Sequence, residues 1–195
     1  MNSLTGRFEE AMVFTFRLHA QQKRKVGDVP YISHLFSVAA LVMEDGGDED
    51  EAIAGLLHDA VEDQGGMPIL IEICERFGEK VSRIVEGCTD SYGKPKPPWK
   101  ERKQRYLEIL RSAPEDVRRV SLADKVHNVR MIVSSLKQHG ESVWDCFKGG
   151  RDGTLWYYDQ LVSIFQETGN GYLTDELTYW VREMNQLTGE PGEGI

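Results

Sequence analysis

The stretch LLHDAVEDQGG, residues 56–66, decides how this chain folds. Its apolar positions recur at helical spacing, so one face of the segment is predicted to be a buried helix face. Glycine readily ends a helix, and we expect Gly65 and Gly66 to end this one. The adjoining face carries one imidazole and three carboxylates: His58, Asp59, Glu62 and Asp63.

The spacing of these four side chains is chemically suggestive. On a continuous helix, His58 lies one turn before Glu62, and Asp59 lies one turn before Asp63, so each pair points the same way. The carboxylates crowd the C-terminal end of the helix, where its dipole disfavours negative charge. Because stacked like charges cost only about 0.2–0.5 kcal/mol, a solvated helix end is an alternative interpretation. A bound cation would turn the repulsion into attraction.

Length and composition predict one domain. With 195 residues and 40% hydrophobic content, the chain can bury one core. We expect residues 1–188 to form this domain and 189–195 to form a flexible C-terminal tail. The net charge of -9 argues against a general nucleic-acid binder. Three scattered cysteines, no apolar leader and no bilayer-length apolar run predict a cytoplasmic protein without membrane contact.

The other apolar patterns also have helical periodicity. We find no convincing strand alternation, so the predicted fold class is all-α, a single bundle of about eight to ten helices. The predicted helices, besides the one that contains residues 56–64, run from about Leu4 to Gln22, from near Ser33, from Pro68, through Val81 to Cys88, from Pro114, from about Thr154 to Gln166, and from roughly Leu173 to Leu187.

Two basic segments interrupt this acidic chain. Residues 23–25 are three adjacent cations before a Gly/Pro turn, which is usually a solvated loop. Residues 94–105 contain six cations and one acid, Glu101. A phosphate-binding rim would have this composition, and an exposed basic helix face is the alternative. The six cations are Lys94, Lys96, Lys100, Arg102, Lys103 and Arg105.

Three more polar residues stand beside apolar faces. Asp124 lies within LADKVHNV, residues 122–129, with Asn128 one turn further on. An unpaired buried charge is expensive, so a cation or a neighbouring Arg or Lys must compensate Asp124. His34 lies in the first turn of the second helix, where a hydrogen-bonded core histidine is the commoner role. His19 is predicted to be partly exposed.

Donors from three helices predict a metal site. His34, the pair His58 and Asp59, and Asp124 offer two imidazoles and two carboxylates without a thiolate. This set suits one Mn²⁺, Fe²⁺ or Zn²⁺ ion better than Ca²⁺ or an iron–sulfur cluster, and Mn²⁺ is our first choice. Such an ion would lower the pKa of a bound water. The acids at positions 62 and 63 would then orient that water or carry protons, without being ligands.

The order of these residues resembles a known family. His34, then His58 and Asp59, then Asp124 form the H…HD…D pattern of the HD superfamily of metal-dependent phosphohydrolases. The segments RKVGD before PYISH, HDAVEDQGG and LADKVHNVR are similar to the hydrolase domain of RelA/SpoT homologues, over most of the chain. These enzymes remove the 3′-pyrophosphate from guanosine tetra- and pentaphosphate with manganese.

The resemblance implies a role for each matching position. It implies that the four donors hold the metal and that Glu62 and Asp63 activate the nucleophile. It also implies contacts from Asn128 to the ribose, from Arg24 or Lys25 near the base and phosphates, and from the basic stretch to the pyrophosphate. The predicted substrate-binding residues are Arg24, Lys25, Lys100, Arg102, Lys103 and Asn128.

The resemblance predicts a free-standing hydrolase that converts ppGpp and pppGpp to GDP and GTP plus pyrophosphate, by attack of a metal-activated water. Its partner would be a small-molecule nucleotide. One alternative is an HD-type phosphatase for another ester, such as a nucleoside monophosphate or the 2′-phosphate of NADPH. Another is a catalytically silent nucleotide-binding module, although all four ligand positions and the acidic pair are present. The sequence does not predict the oligomeric state.

Overall fold

The computed structural model describes residues 3–92, 96–169 and 171–189, and most of these residues are helical. These residues contain no β-strand beyond an isolated bridge between Lys23 and Pro30, and the all-α prediction is confirmed. The helices are α1 (Gly6–His19), α2 (Ile32–Glu44), α3 (Glu49–Leu57), α4 (Ala60–Gln64), α5 (Met67–Phe77), α6 (Glu79–Cys88), α7 (Trp99–Ser112), α8 (Glu115–His139), a 3-10 helix (Gly140–Cys146), α9 (Gly150–Thr168) and α10 (Tyr172–Leu187).

Local sequence signals set the start of α3 and the end of α4. The Asp48 carboxylate accepts a hydrogen bond from the Glu51 amide at 3.0 Å, and the Glu51 carboxylate accepts one from the Asp48 amide at 2.8 Å. This reciprocal pair is a capping box. Gly66 has a φ of 67°, a conformation that costs glycine little, and its amide donates to the Val61 carbonyl at 2.9 Å. The predicted helix end at the two glycines is confirmed.

The predicted continuous helix through His58 and Asp59 is wrong, because these two residues form a turn between α3 and α4. The carbonyl of Gly55 would accept from the amide of Asp59 in a regular helix. In the structure, this carbonyl accepts from Nδ1 of His58 at 2.9 Å. The dihedral angles of Asp59 remain near helical, with φ -97° and ψ -3°. The amide of Asp63 therefore still reaches the Asp59 carbonyl, at 3.0 Å.

Helices α2, α3 and α8 form the centre of the packing. A β-carbon added at Gly55 would lie 3.1 Å from the Ala39 Cα, so glycine permits α2 and α3 to approach closely. Helix α8 packs against both of them and against α6 and α10. Its apolar face is buried through Val120, Ala123 and Val126. Side chains that these three helices direct inward are therefore held in a fixed arrangement.

The loop between α1 and α2 folds back on itself. The amide of Arg24 donates to the Val29 carbonyl at 2.8 Å, and the amide of Tyr31 donates to the Gln22 carbonyl at 2.9 Å. Asp28 adopts a φ of 55° at the tip, a region that aspartate tolerates better than most residues. The loop thereby carries Arg24 and Tyr31 back towards α2.

Helix α7 is held against α9 by an aromatic contact. The Trp99 ring lies edge-on to the rings of Trp156 and Tyr157, with centroids 6.4 and 6.3 Å apart. A β-carbon at Gly149 would come within 2.7 Å of Trp99, so the absence of a side chain makes room for the indole. Within the described ranges, no helix is long and apolar enough to span a membrane. Lys94 and residues 190–195 of the predicted tail, 189–195, lie outside the described residues.

Candidate active site

Four side chains from α2, α8 and the turn between α3 and α4 come together: ligand atoms of His34, His58 and Asp59 lie within 4.8 Å of one another, and Asp124 lies near both imidazoles. His34 Nε2 lies 3.3 Å from Asp124 Oδ1 and 3.6 Å from Asp59 Oδ2. His58 Nε2 lies 3.1 Å from Asp59 Oδ2 and 3.7 Å from Asp124 Oδ1. The structure thus brings together all four residues predicted as ligands. We call these two nitrogens and two oxygens the four-donor centre.

The hydrogen-bond balance of the four-donor centre fits a cation. The Nε2 atoms of His34 and His58 are buried and have no hydrogen-bond partner among the described residues. A carbonyl can only accept, so Nδ1 of His58 carries the proton that it shares with Gly55, and neutral His58 has a lone pair on Nε2. This lone pair faces carboxylate oxygens, which are also acceptors. A divalent ion with a preference for nitrogen and oxygen ligands would satisfy all of them.

Protonation is the competing way to balance these charges. Burial alone would lower the pKa of His58, but the charges of Asp59 and Asp124 raise this pKa well above its usual value. Burial opposes ionisation of both carboxyls, yet the adjacent cationic groups hold their pKa values well below the usual range. Both carboxylates are therefore ionised at neutral pH. A metal ion and a proton compete for Nε2 of His58, so metal affinity should fall in acid.

Each carboxylate is oriented by a second contact. The Tyr31 hydroxyl donates to Asp59 Oδ2 at 2.6 Å. The Lys125 ammonium donates to Asp124 Oδ2 at 2.5 Å, which leaves Oδ1 turned towards the imidazoles. The sequence suggested a cation or a neighbouring basic residue as the partner of Asp124. In the structure, Lys125 is the basic partner of Oδ2, and Oδ1 faces the imidazoles.

His34 is oriented by another histidine. Its Nδ1 lies 2.8 Å from Nδ1 of His127, and the two ring centroids are 4.8 Å apart. Burial, together with the proximity of His34 and Arg24, lowers the pKa of His127 to about 3. The His127 ring is therefore neutral at neutral pH.

Three residues that support the four-donor centre are not among the predicted site residues: Tyr31, Lys125 and His127. Their positions carried a signal, because Tyr31 lies three residues before His34 and His127 lies three residues after Asp124. Residues three apart on a helix share a face. Lys125 directly follows the buried acid that needed a partner.

Glu62 and Asp63 flank the four-donor centre. The Lys96 ammonium donates to Glu62 Oε1 at 2.5 Å, and the Gln22 amide donates to Asp63 Oδ2 at 2.7 Å. Burial, followed by the charges of neighbouring carboxylates, raises the pKa of both acids. A carboxyl group with a raised pKa exchanges protons more readily near neutral pH, which suits general acid–base work.

The amide that holds Asp63 is itself fixed. Oε1 of Gln22 accepts from the Gln64 amide at 2.5 Å and from Nδ1 of His19 at 2.7 Å. The prediction that His19 is partly exposed is wrong, because only 1% of this residue is accessible. Its ring stacks on the Tyr31 ring, with centroids 5.6 Å apart, and the returning loop covers it.

The cations of the loop before α2 face the four-donor centre. The Arg24 guanidinium donates to Asn128 Oδ1 at 2.6 Å, and the Asn128 amide donates to Asp124 Oδ1. Partial burial and the charge of Lys103 lower the pKa of Lys25. Lys25 and Lys103 therefore approach the same region from the loop and from α7.

Much of the positive charge on α7 is compensated within the protein. Arg102 donates to both Asp90 oxygens, at 2.6 and 2.5 Å, and Lys103 donates to Asp90 Oδ2 at 3.0 Å. Burial raises the pKa of Asp90, but the charges of Lys103 and Arg102 outweigh it and lower this pKa to about 2. Lys100 is exposed, and its ammonium lies 2.9 Å from the centroid of the Trp156 ring.

Comparisons with known proteins agree with this geometry. The HD domain family model matches residues 11–155. The guanosine-3′,5′-bis(diphosphate) 3′-pyrophosphohydrolase of Aquifex aeolicus is 39% identical over 126 residues, 64% of this chain and 17% of that protein. The Homo sapiens guanosine-3′,5′-bis(diphosphate) 3′-pyrophosphohydrolase MESH1 is 38% identical over 133 residues, 67% of this chain and 72% of that protein.

A solved structure shows the same fold. It is described as a metazoan ortholog of SpoT that hydrolyses ppGpp, and it superimposes on this chain with a TM-score of 0.75 at 24% identity. The superposition covers 97% of this chain and 99% of that chain. This chain spans less than a fifth of the length of the Aquifex aeolicus relative, 17%.

Proposed function

We propose that this chain, which belongs to the HD-domain family, is a divalent-metal-dependent hydrolase that removes the 3′-pyrophosphate of ppGpp and pppGpp. The four-donor centre carries the proposal, because two buried imidazole nitrogens, which have no hydrogen-bond partner among the described residues, lie beside two carboxylates and fit a cation. Relatives that include the human protein are named for this activity. Cytoplasmic nucleotides would supply the substrate.

The HD domain implies a divalent metal, and the residues present fit one. His34, His58, Asp59 and Asp124 would hold the ion. Mn²⁺ is our choice, because the set mixes imidazole with carboxylate and contains no thiolate. A bound divalent ion supplies Lewis-acid polarisation and a lowered pKa of water.

Two acidic side chains beside the four-donor centre would accept a proton from the attacking water and orient it. Glu62 accepts the proton of the attacking water, and Asp63, held by Gln22, keeps that water aligned. The water oxygen bonds to the 3′-linked phosphorus while the bond from this phosphorus to the ribose 3′-oxygen breaks. The 3′-oxygen takes up a proton and pyrophosphate leaves. Lys96 compensates the charge of Glu62 in the resting protein.

A nucleotide with two pyrophosphates is strongly anionic, so an acidic protein must bind it through local cations. Arg24 or Lys25 would contact the base side, and Asn128 would contact the ribose. Lys103 and Lys100 would meet the 3′-pyrophosphate from α7. Arg102 would contribute by holding Asp90, and thereby Lys103, in place.

Product analysis tests this proposal. The purified protein with Mn²⁺ should convert ppGpp to GDP and an equal amount of pyrophosphate, and the metal chelator EDTA should stop the reaction. Nucleoside monophosphates and NADPH are assayed in parallel. Orthophosphate release from one of these esters, with ppGpp left intact, would identify a different HD phosphatase. Binding of ppGpp without turnover would identify a silent module.

A further inference from the structure

The two histidines of the four-donor centre are oriented by different kinds of partner. Nδ1 of His58 donates to the Gly55 carbonyl, which can only accept. Nδ1 of His34 meets Nδ1 of His127, which can donate or accept, depending on which of its nitrogens carries the proton. The tautomer of His58 is therefore fixed by the backbone, whereas that of His34 depends on a side chain.

Only two arrangements of protons satisfy a contact between two neutral imidazoles. If His34 donates from Nδ1, its Nε2 is a bare lone pair. If His127 donates from Nδ1, neutral His34 carries its proton on Nε2, directed at Asp124 Oδ1 at 3.3 Å. A ligand nitrogen must be unprotonated. Only the first arrangement leaves Nε2 of His34 free to hold an ion.

We infer that His127 is a positioning residue for the metal site: it accepts the Nδ1 proton of His34 and so directs the Nε2 lone pair of His34 into the four-donor centre. Hydrogen-bond partners of ligating histidines commonly fix the tautomer and ring orientation. Here the partner lies on α8, the helix that also carries Asp124. One helix thus supplies a ligand and orients a second ligand from α2. The inference rests on the proposed metal site, but not on the proposed substrate.

Metal affinity measured without substrate tests this role. Mn²⁺ is titrated calorimetrically into the metal-free wild type and into the variants His127→Phe and His127→Gln. Phenylalanine keeps a ring but cannot accept the proton, so the Kd should rise about 10–100-fold. Glutamine offers an accepting oxygen and should restore most of the affinity. An unchanged Kd in His127→Phe, or an equal loss in His127→Gln, overturns the inference.

A matched control separates this effect from a general loss of packing. His139→Phe makes the same change in an exposed histidine at the end of α8, and its Kd should equal that of the wild type. Circular dichroism and the melting temperature of each metal-free variant check that the fold is retained.

A spectroscopic measurement on the wild type does not depend on any variant folding. Histidine ¹⁵N spectra of the Zn²⁺-loaded protein should show the proton of His34 on Nδ1 and that of His127 on Nε2. A proton on Nδ1 of His127 would contradict the inference. If ppGpp is not hydrolysed but these metal results are obtained, the proposed substrate fails and the role of His127 stands. If the wild type binds no divalent ion, the proposed metal site itself fails.

Discussion

The four-donor centre and helix α7 both concentrate charged or polar groups, but they satisfy them differently. In the four-donor centre, the Nε2 atoms of His34 and His58 have no hydrogen-bond partner within the described part of the chain. On α7, Arg102 and Lys103 are both paired with Asp90. Buried imidazole nitrogens that face carboxylate oxygens therefore fit a bound ion, whereas a high density of charged residues by itself does not indicate a site. Five substitutions test this difference.

The largest effect should come from Asp124→Asn in the four-donor centre. An amide removes one negative ligand and leaves Lys125 without its counter-charge, so Mn²⁺ binding and hydrolysis should disappear together. Calorimetry with Mn²⁺ and the rate of product formation check this result. Asp116→Asn is the control, because it makes the same change in the first turn of the same helix, where Asp116 pairs with Arg83. An Asp124→Asn protein that stays active while metal-free would contradict the site.

Glu62→Gln should separate metal binding from chemistry. The amide cannot accept a proton, so kcat should fall about 10²–10⁴-fold, while the Kd for Mn²⁺ should change little. Steady-state rates and calorimetry measure the two quantities, with Glu75→Gln, an exposed residue of α5, as the control. If kcat stays at the wild-type value, Glu62 has no part in the mechanism.

We also predict how the stability of the Glu62→Gln variant depends on pH. Because folding raises the pKa of Glu62, its carboxyl favours the folded state below its unfolded pKa, and this contribution is lost as pH rises through the folded pKa. Metal-free Glu62→Gln should therefore gain in melting temperature relative to wild type as pH rises from acid to neutral. A gain that is largest in acid would contradict the raised pKa.

Asp90→Asn should show how much the ion pairs of Asp90 with Arg102 and Lys103 stabilise the position of α7. Removing one partner of a buried pair costs about 3–5 kcal/mol of unfolding free energy, and each kcal/mol corresponds to about 2–4 °C in a chain of this size. The pKa of Asp90 is lowered to about 2, so its contribution is present above the unfolded pKa and is lost as pH falls through about 2. The loss of stability should therefore be greatest near neutral pH.

Thermal melts of this variant between acid and neutral pH measure the effect. Asp152→Asn, an exposed residue near the start of α9, should change stability little. A difference between Asp90→Asn and wild type that does not shrink in acid would mean that the carboxylate of Asp90 does not stabilise α7.

The smallest effect should distinguish two lysines of α7. Partial burial, together with the charge of Lys103, lowers the pKa of Lys25, which lies on the other side of the site. Lys100 is exposed, and its ammonium lies over the Trp156 ring. Lys103→Met should raise KM about tenfold, the size of one charged hydrogen bond, and should change kcat less. Lys100→Met should change KM less than Lys103→Met does. Kinetics with ppGpp decide between them, with Lys137→Met as an exposed control, and equal KM values for all variants would make α7 an ordinary surface helix.

Helical periodicity predicted the all-helical fold, whereas the four converging residues were predicted from their ligand chemistry and from the resemblance to the HD superfamily. Helical periodicity assigns each side chain to a face, and His34, His58 and Asp124 all lie beside buried apolar faces. Their convergence follows from the packing of those faces. Their role as ligands remains a proposal.

The features that the sequence did not predict depend on contacts that no periodicity encodes. The turn at His58 and Asp59 follows from a bond between a side chain and the Gly55 carbonyl. The burial of His19 depends on the fold of a loop. The pairing of Asp90 with Arg102 joins residues on two sides of an irregular segment. Such contacts depend on how the helices and loops pack in three dimensions, so the sequence pattern does not predict them.

Anomalous diffraction at the manganese edge, from crystals grown with Mn²⁺, locates the bound ion. We predict one strong manganese peak bounded by Nε2 of His34, Nε2 of His58 and the carboxylates of Asp59 and Asp124. The peak should be absent from Asp124→Asn crystals. Full occupancy at another position, or wild-type crystals without a peak between these four side chains, would contradict the account.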